Sequence, residues 1–272
     1  MDPLFDELKR RVALLESVVV AYSGGVDSAL LLKVCHDVLG KRCLGVIANS
    51  ESIPDEDVAE ARRIAAGFGA TLRVIRTREM DRPEYTNNPV NRCYFCKTDL
   101  FEALEELSEQ EGYRHVAYGE TLDDVGDHRP GAIAAAEHRV CSPLREAGLR
   151  KADVRRYSRA LGLSTHDKPA APCLSSRIPY GQKVTGEKLA RIAEAEAYLK
   201  SRGFREVRVR HHEGLARVEI PEHEMGRIFR DGEREALVSS LLKAGFHYVT
   251  LDLSGFRSGS LNEVVGLQKP KG

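Results

Sequence analysis

Three short stretches of this 272-residue chain carry residue types suited to chemistry rather than packing. The first is KPAAPCLSSRIPYG, residues 168–181, in which Cys173 directly follows a proline. Prolines fix φ and remove a backbone donor, so the segment reads as a stiff loop presenting one thiol. A thiolate is both a nucleophile and a metal ligand. Arg177 and Lys168 are the cations nearby in sequence that would stabilise it. The second stretch is NRCYFCK, residues 91–97, with Cys93 and Cys96 in a CxxC spacing. That pair reads as a redox pair, as half a zinc site, or as two semi-buried thiols at a helix start. A structural zinc site takes four Cys or His ligands. No second CxxC follows, and the adjacent His211 and His212 would point to opposite faces of a strand. Together, Cys93, Cys96 and Cys173 match a [4Fe–4S] cluster held by three thiolates, its fourth iron open to sulfide. The third stretch is AYSGGVDSALLL, residues 21–32. An apolar run enters Ser23-Gly24-Gly25, and a helical pattern begins at Val26. Glycines let backbone approach a phosphate, and a helix N-terminus offers free N–H groups and a positive dipole. Ser23 and Ser28 add hydroxyl donors. A carboxylate beside phosphates needs a cation between them, which makes Asp27 a Mg²⁺ ligand.

The elements that must position these residues follow from hydrophobic period. SVVVAY (17–22), RCLGVIA (42–48), TLRVIRT (71–77) and HVAYG (115–119) read as strands, with RVCSPL (139–144) as a possible fifth. Residues 4–16, 26–40, 54–69 and 96–110 carry helical spacing. Strands alternating with helices imply an α/β fold, a parallel sheet with helices on both faces. Ligands in such sheets bind beyond the carboxyl ends of the strands. The glycine loop and the YGETLDDVGDHRPG loop (118–131) both fall at that edge. In the second loop Gly119 lies close to the nucleotide, Asp123, Asp124 and Asp127 offer metal ligands, and Arg129 offers charge to a phosphate. The C-terminal part changes style. A helix at 186–202 leads to two alternating strands (206–220) turning at Glu213-Gly214, a helical stretch (221–244) and a last strand (247–253). That is a small α+β domain, and the division falls at 1–175 and 176–272.

Lys+Arg and Asp+Glu both number 41, so a global basic surplus for nucleic acid is absent. No apolar run reaches the roughly 18 residues of a membrane span, and MDPLFDELKR shows no signal-peptide core. The expected compartment is the cytoplasm, where six cysteines stay reduced. Cys35, Cys43 and Cys141 sit in apolar patterns and read as small buried hydrophobes.

SGGVDS without a following GK[ST] is not a Walker loop. It resembles the PP-loop of the N-type ATP pyrophosphatases (adenine nucleotide alpha hydrolase-like fold), which cleave ATP between the α- and β-phosphates and adenylylate an oxygen. SGGVDS, NRCYFCK, GETLDDVGDHRPG and KPAAPCLSSRIPYG, followed by FREVRVRHHEGLARVEI, occur here in one order. Together they resemble the LarE-type sulfur transferases over nearly the whole chain. That resemblance implies that ATP adenylylates a carboxylate of a pyridinium-3,5-biscarboxylic acid mononucleotide. Sulfur then replaces oxygen, on the way to the nickel-pincer cofactor of lactate racemase. It further implies ATP and Mg²⁺ as cofactors, and either a [4Fe–4S] cluster on Cys93, Cys96 and Cys173 or sacrificial donation from Cys173, which becomes dehydroalanine. The presence of all three thiols favours the cluster, with the upstream sulfur donor open. By the same resemblance Arg208 and Arg210 bind the substrate phosphate, Glu196 is an acid near the site, and the protein forms a homo-oligomer. Ser176 and Arg177 lie beside the thiol and would orient the adenylate, and Tyr94 would stack on the pyridinium or pack as a core aromatic.

A tRNA thiolase of the same superfamily shares the loop and the cysteine, but needs a basic surface or an RNA-binding domain. An amide-forming ligase would need a source of ammonia and no Cys173. A regulatory module would bind ATP without releasing pyrophosphate.

Overall fold

Four consecutive apolar residues, Val18–Ala21, form β1, and all are buried because the strand is covered on both faces. The computed structural model describes residues 2–125, 130–230, 232–257 and 266. Its four-stranded sheet runs β3-β2-β1-β4, with β2 Cys43–Asn49, β3 Leu72–Arg76 and β4 His115–Tyr118. Every pairing is parallel, with Val18 opposite Cys43 on one side and His115 on the other. Alternation along β1 sorts two cores. Val18 and Val20 pack with residues of α1 (Pro3–Leu14), α2 (Val26–Leu39) and α3 (Asp55–Gly67). Val19 and Ala21 pack with Phe101 and Leu104 of α4 (Arg92–Glu111) and with Ala134 and Ala135 of α5 (Pro130–Glu137). Val154 and Tyr157 of α6 (Lys151–Ala160) join the first core. The fold is thus α/β with helices on both faces. Since β2 and β3 lie on one side of β1 and β4 on the other, the topological switch point is between β1 and β4.

The run 139–144 does not make a fifth strand. Cys141 forms one isolated parallel bridge to Ala117. The ladder stops because Pro143 has no N–H and opens the helical turn Pro143–Glu146. The CxxC helix starts at Arg92, one turn before the expected position, so both cysteines lie within it.

The chain divides into two compact units, one comprising residues to Glu79 with Asn91–Ala171, the other Met80–Val90 with the chain from Pro172. The second holds α7 (Gly186–Ser201), β5 (Arg208–His212), β6 (Leu215–Glu219), α8 (Glu233–Lys243) and β7 (Tyr248–Leu251). Its sheet runs β5-β6-β7, antiparallel between β5 and β6 and parallel between β6 and β7. The helical stretch at 221–244 comes in pieces: after the turn Met225–Ile228, α8 begins at Glu233. Among the described residues no helix is long and apolar enough to cross a membrane.

Candidate active site

The SGG loop is shaped by close backbone packing. Gly24 has φ +71°, and a Cβ there would stand 2.7 Å from the Cβ of Ala61. Only glycine combines that backbone angle with that approach. The loop is tied to the first turn of α2 by hydroxyls: Ser23 N–H donates to Ser28 Oγ at 3.2 Å, and the two hydroxyls share a bond at 3.1 Å. Ser28 Oγ also donates to Gly25 O at 3.2 Å. Gly25 is the N-cap of α2 with no side-chain cap. The N–H groups of Val26 and Asp27 therefore stand at a helix start, the arrangement that binds phosphate. Asp27, in that first turn, gives Oδ2 to the ammonium of Lys151. Its Oδ1 is buried without a hydrogen-bond partner. A buried carboxylate oxygen left open beside a phosphate-binding loop fits a hard divalent cation.

Gly119, just past β4, meets the same turn from the other side of the switch point. A Cβ there would lie 2.8 Å from Ser28 N and 2.9 Å from Asp27 C, so a side chain would push the second loop off the first. The acids that follow are committed locally. Asp123 accepts from Lys151 N–H at 2.6 Å and from Arg150 Nη1 at 3.0 Å. The Lys151 amide, then Arg150, hold its carboxyl below the usual range. Asp124 is buried and accepts from the N–H and Oγ1 of Thr121 at 2.8 and 3.0 Å. Asp127 and Arg129 lie outside the described residues. Lys168 donates to Gly24 O at 3.3 Å and to Glu60 Oε2 at 2.8 Å, so this cation serves the SGG loop.

Cys93 and Cys96 lie in the first turns of α4, Cys93 exposed and Cys96 partly so. Helix positions three apart are neighbours, with Cβ atoms roughly 5–6 Å apart. Tyr94 points away from that role: its hydroxyl donates to Glu137 Oε2 at 2.7 Å, and its ring meets Phe95 edge-on at 5.3 Å. Among the described residues, no group of three or more His, Cys, Asp and Glu side chains is placed to hold a metal ion.

In the second unit the Cys173 loop is held by charge. Cys173 is partly exposed, while Ser175 and Arg177 beside it are buried. Arg177 donates Nη1 to the carbonyls of Pro172 and Cys173 at 2.6 and 3.0 Å. Its Nε and Nη2 meet Glu196 of α7 at 2.8 and 3.0 Å. Glu196 also accepts from Val209 N–H at 3.0 Å, which joins α7 to β5. Ser176 donates Oγ to Cys173 O at 2.7 Å. Arg210 forks onto Glu219 at 3.0 and 2.9 Å and donates Nη1 to Ser176 O at 2.7 Å. From Met80–Val90, Tyr85 bonds Ser175 Oγ at 2.6 Å, and Asn88 Nδ2 donates to Pro179 O at 2.7 Å. Arg208 lies over the Phe256 ring at 5.1 Å. Burial first, then the charge of Arg177, lowers its guanidinium to about 10.

Comparison with known proteins decides the family. A family model described as NAD synthase matches residues 2–88, the portion holding the SGG loop. The pyridinium-3,5-bisthiocarboxylic acid mononucleotide synthase of Lactiplantibacillus plantarum is 39% identical over 254 residues, 92% of this chain and 91% of that protein. The chain belongs to the pyridinium-3,5-bisthiocarboxylic acid mononucleotide synthase family. An uncharacterized protein of Synechocystis sp. is 43% identical over 97% of this chain and 99% of its own length. Another, from Methanocaldococcus jannaschii, is 28% identical over 89% of this chain and 92% of its own length. In this family member, sequence reasoning missed Lys151, Glu219, Tyr85 and Asn88. Glu219 carried a usable signal: the Glu213-Gly214 turn sets the hairpin register, which pairs Arg208 with Glu219 and places Arg210 diagonally beside it. Lys151 carried none, because its partner is 124 residues away.

Proposed function

We propose that this chain is an ATP-dependent sulfur transferase that converts the carboxylates of a pyridinium-3,5-biscarboxylic acid mononucleotide to thiocarboxylates, for the nickel-pincer cofactor of lactate racemase. Family membership supports the substrate class. The observation that carries the reading is the glycine loop at the switch point, with its helix N–H groups and the open Oδ1 of Asp27. In this chemistry a substrate carboxylate oxygen attacks the α-phosphorus of ATP. The bond to the bridging oxygen breaks, and pyrophosphate leaves with the electron pair. Sulfur then attacks the acyl carbon, and AMP leaves carrying the former carboxylate oxygen. Asp27 would hold the Mg²⁺ that accompanies ATP and neutralises phosphate charge. The loop N–H groups, Ser23 and Ser28 bind and orient the phosphates. Gly119 keeps the second loop against this turn, and Asp123 and Asp124 hold that loop's shape. Arg208 and Arg210 take the substrate phosphate. Ser176, Arg177 and Glu196 hold the thiol loop in position.

Cys93, Cys96 and Cys173 are the thiols that would hold a [4Fe–4S] cluster, and the i, i+3 placement of the first two suits paired ligation. When bound, that cluster supplies an open iron for sulfide. The partial exposure of Cys173 on its pinned turn also supports a second route, in which its own sulfur is transferred. There the Cβ–S bond breaks, the Cα proton is lost, and dehydroalanine remains. Reduced thiols suit a cytoplasmic enzyme.

The test is anaerobic incubation of the purified chain with Mg-ATP and the mononucleotide. AMP, pyrophosphate and thiocarboxylate should form together and only with all components. Pyrophosphate release indifferent to the mononucleotide would contradict the acceptor. Iron and sulfide analysis beside Cys173→Ser separates the routes: loss of bound iron in the variant supports the cluster, and an iron-free wild type with dehydroalanine after turnover supports donation.

A further inference from the structure

The Cys173 loop is bonded by a segment 90 residues earlier in the chain, Met80–Val90, which folds with the second unit. Tyr85, in the turn Pro83–Thr86, shares a 2.6 Å hydrogen bond between its hydroxyl and Ser175 Oγ, and both side chains are fully buried. Asn88 is fully buried as well: its Nδ2 donates to the carbonyls of Ile178 and Pro179 at 3.2 and 2.7 Å, and its own carbonyl accepts from Gly181 N–H at 2.9 Å. It adopts φ +55°, a left-handed angle that asparagine tolerates better than most residues. These contacts begin inside the turn Leu174–Arg177, which has Cys173 as its N-cap, and continue past its end. Within the loop, Ser176 and Arg177 bond the Cys173 carbonyl and fix the shape of the turn. Its place is set by groups outside it: Glu196 on Arg177, Arg210 on Ser176 and Tyr85 on Ser175. Of the three, Tyr85 holds the position nearest in sequence to the thiol. Stability alone does not call for its hydroxyl, because replacing both members of a buried hydroxyl pair with apolar groups of the same shape is close to neutral. What the pair adds is a fixed distance and direction, which apolar contact does not impose.

We propose that Tyr85 is a positioning residue for sulfur transfer. Through Ser175 its hydroxyl fixes the turn that presents Cys173, and Asn88 fixes the chain leaving that turn. This rests on the sulfur-transfer reading and deepens it. Either route needs the thiol at a set place, as donor to the activated acyl carbon or as a cluster ligand, and a misplacement of about 1 Å costs up to about a hundredfold in rate.

The test compares the full-length wild type with Tyr85→Phe, Ser175→Ala and the double variant, all handled without oxygen. Hydrogen-exchange mass spectrometry reads the backbone amides of 174–178, and thermal melting reads stability. Incubation with Mg-ATP and the mononucleotide reads pyrophosphate and thiocarboxylate separately. In Tyr85→Phe these amides should exchange about tenfold faster and thiocarboxylate should form about tenfold more slowly, with the first turnover of pyrophosphate within about twofold of wild type. The double variant should melt within about 2 °C of wild type, because neither hydroxyl is left stranded. It should still form thiocarboxylate about tenfold slowly rather than a hundredfold, because both single variants break one shared bond. Thiocarboxylate formation at the wild-type rate in a folded Tyr85→Phe overturns the proposal. So does a double variant in which the two losses multiply. Equal losses of pyrophosphate and thiocarboxylate make Tyr85 a general structural anchor and also overturn it. If the wild type makes no thiocarboxylate while exchange at 174–178 responds as expected, the sulfur-transfer reading fails and the anchoring of the Cys173 turn by Tyr85 stands.

Discussion

At Gly24 an added methyl would stand 2.7 Å from Ala61, whereas the Cys173 loop is fixed by buried arginine–carboxylate pairs, Arg177–Glu196 and Arg210–Glu219. The phosphate loop is shaped by what is missing, namely side chains at Gly24 and Gly119. The thiol loop is shaped by side chains that spend their charge on it. The difference matters for reading residues as chemistry. At the phosphate loop a carboxylate oxygen is left open, and that openness is the functional signal. At the thiol loop Glu196 and Glu219 bind arginine, and Arg177 binds backbone carbonyls, so Arg177, Glu196 and Glu219 are positioning groups. The partly exposed Cys173 stands out against that satisfied background.

Breaking the thiol-loop pairs should have the largest effect on stability. Glu219 is fully buried and pairs with both Arg210 and Arg217, and Glu219→Gln removes the negative charge facing these two guanidinium groups. The expected loss is about 3–5 kcal/mol in denaturant unfolding, the usual cost of stranding one partner of a buried ion pair. A loss below about 1 kcal/mol would put the loop's support elsewhere.

The opposite pattern is expected at the phosphate loop. Asp27→Asn should lower AMP formation by about a thousandfold, roughly 4 kcal/mol on the barrier. Stability should change by less than about 1 kcal/mol, because the Lys151 partner is 40% exposed. An equal loss of stability and activity would erase the contrast between the regions.

A smaller effect sharpens the account of the second unit. His211 is buried beside Phe246, with ring centroids 5.3 Å apart and neither ring nitrogen partnered. Burial first, then Lys188 and Arg191, lowers its pKa from 6.5 to about 4. A base depressed in the folded state stabilises it only while neutral. The contribution is complete above about pH 6.5 and is lost as pH falls toward 4, on the order of 2 kcal/mol between pH 7 and 5. Urea unfolding at the two pH values should show this in the wild type and a shallower slope in His211→Leu. Identical slopes would mean that the ring is not the acid-sensitive group.

The α/β sheet was legible because apolar runs of four to seven residues ending at glycine or polar loops have few other readings, as with Val18–Ala21 and Cys43–Asn49. The expected fifth strand failed for a local reason, Pro143, which the same sequence displayed. The phosphate loop was legible because glycine spacing is a backbone requirement and backbone requirements are local. Glu196 was noted, but its fork on Arg177 was not, because that pairing depends on how α7 crosses the Cys173 loop. Lys151 and Asp27 are 124 residues apart and meet only through the packing of α6 on α2, which no local pattern encodes.

The central claim is that ATP activates a carboxylate of the mononucleotide before sulfur arrives. The most direct measurement is isotope tracing with both carboxylates labelled with heavy oxygen and mass analysis of the AMP released. One labelled oxygen is expected in each AMP for each sulfur installed. Unlabelled AMP alongside thiocarboxylate would mean that the oxygen leaves by another path, and adenylylation of the carboxylate would be contradicted.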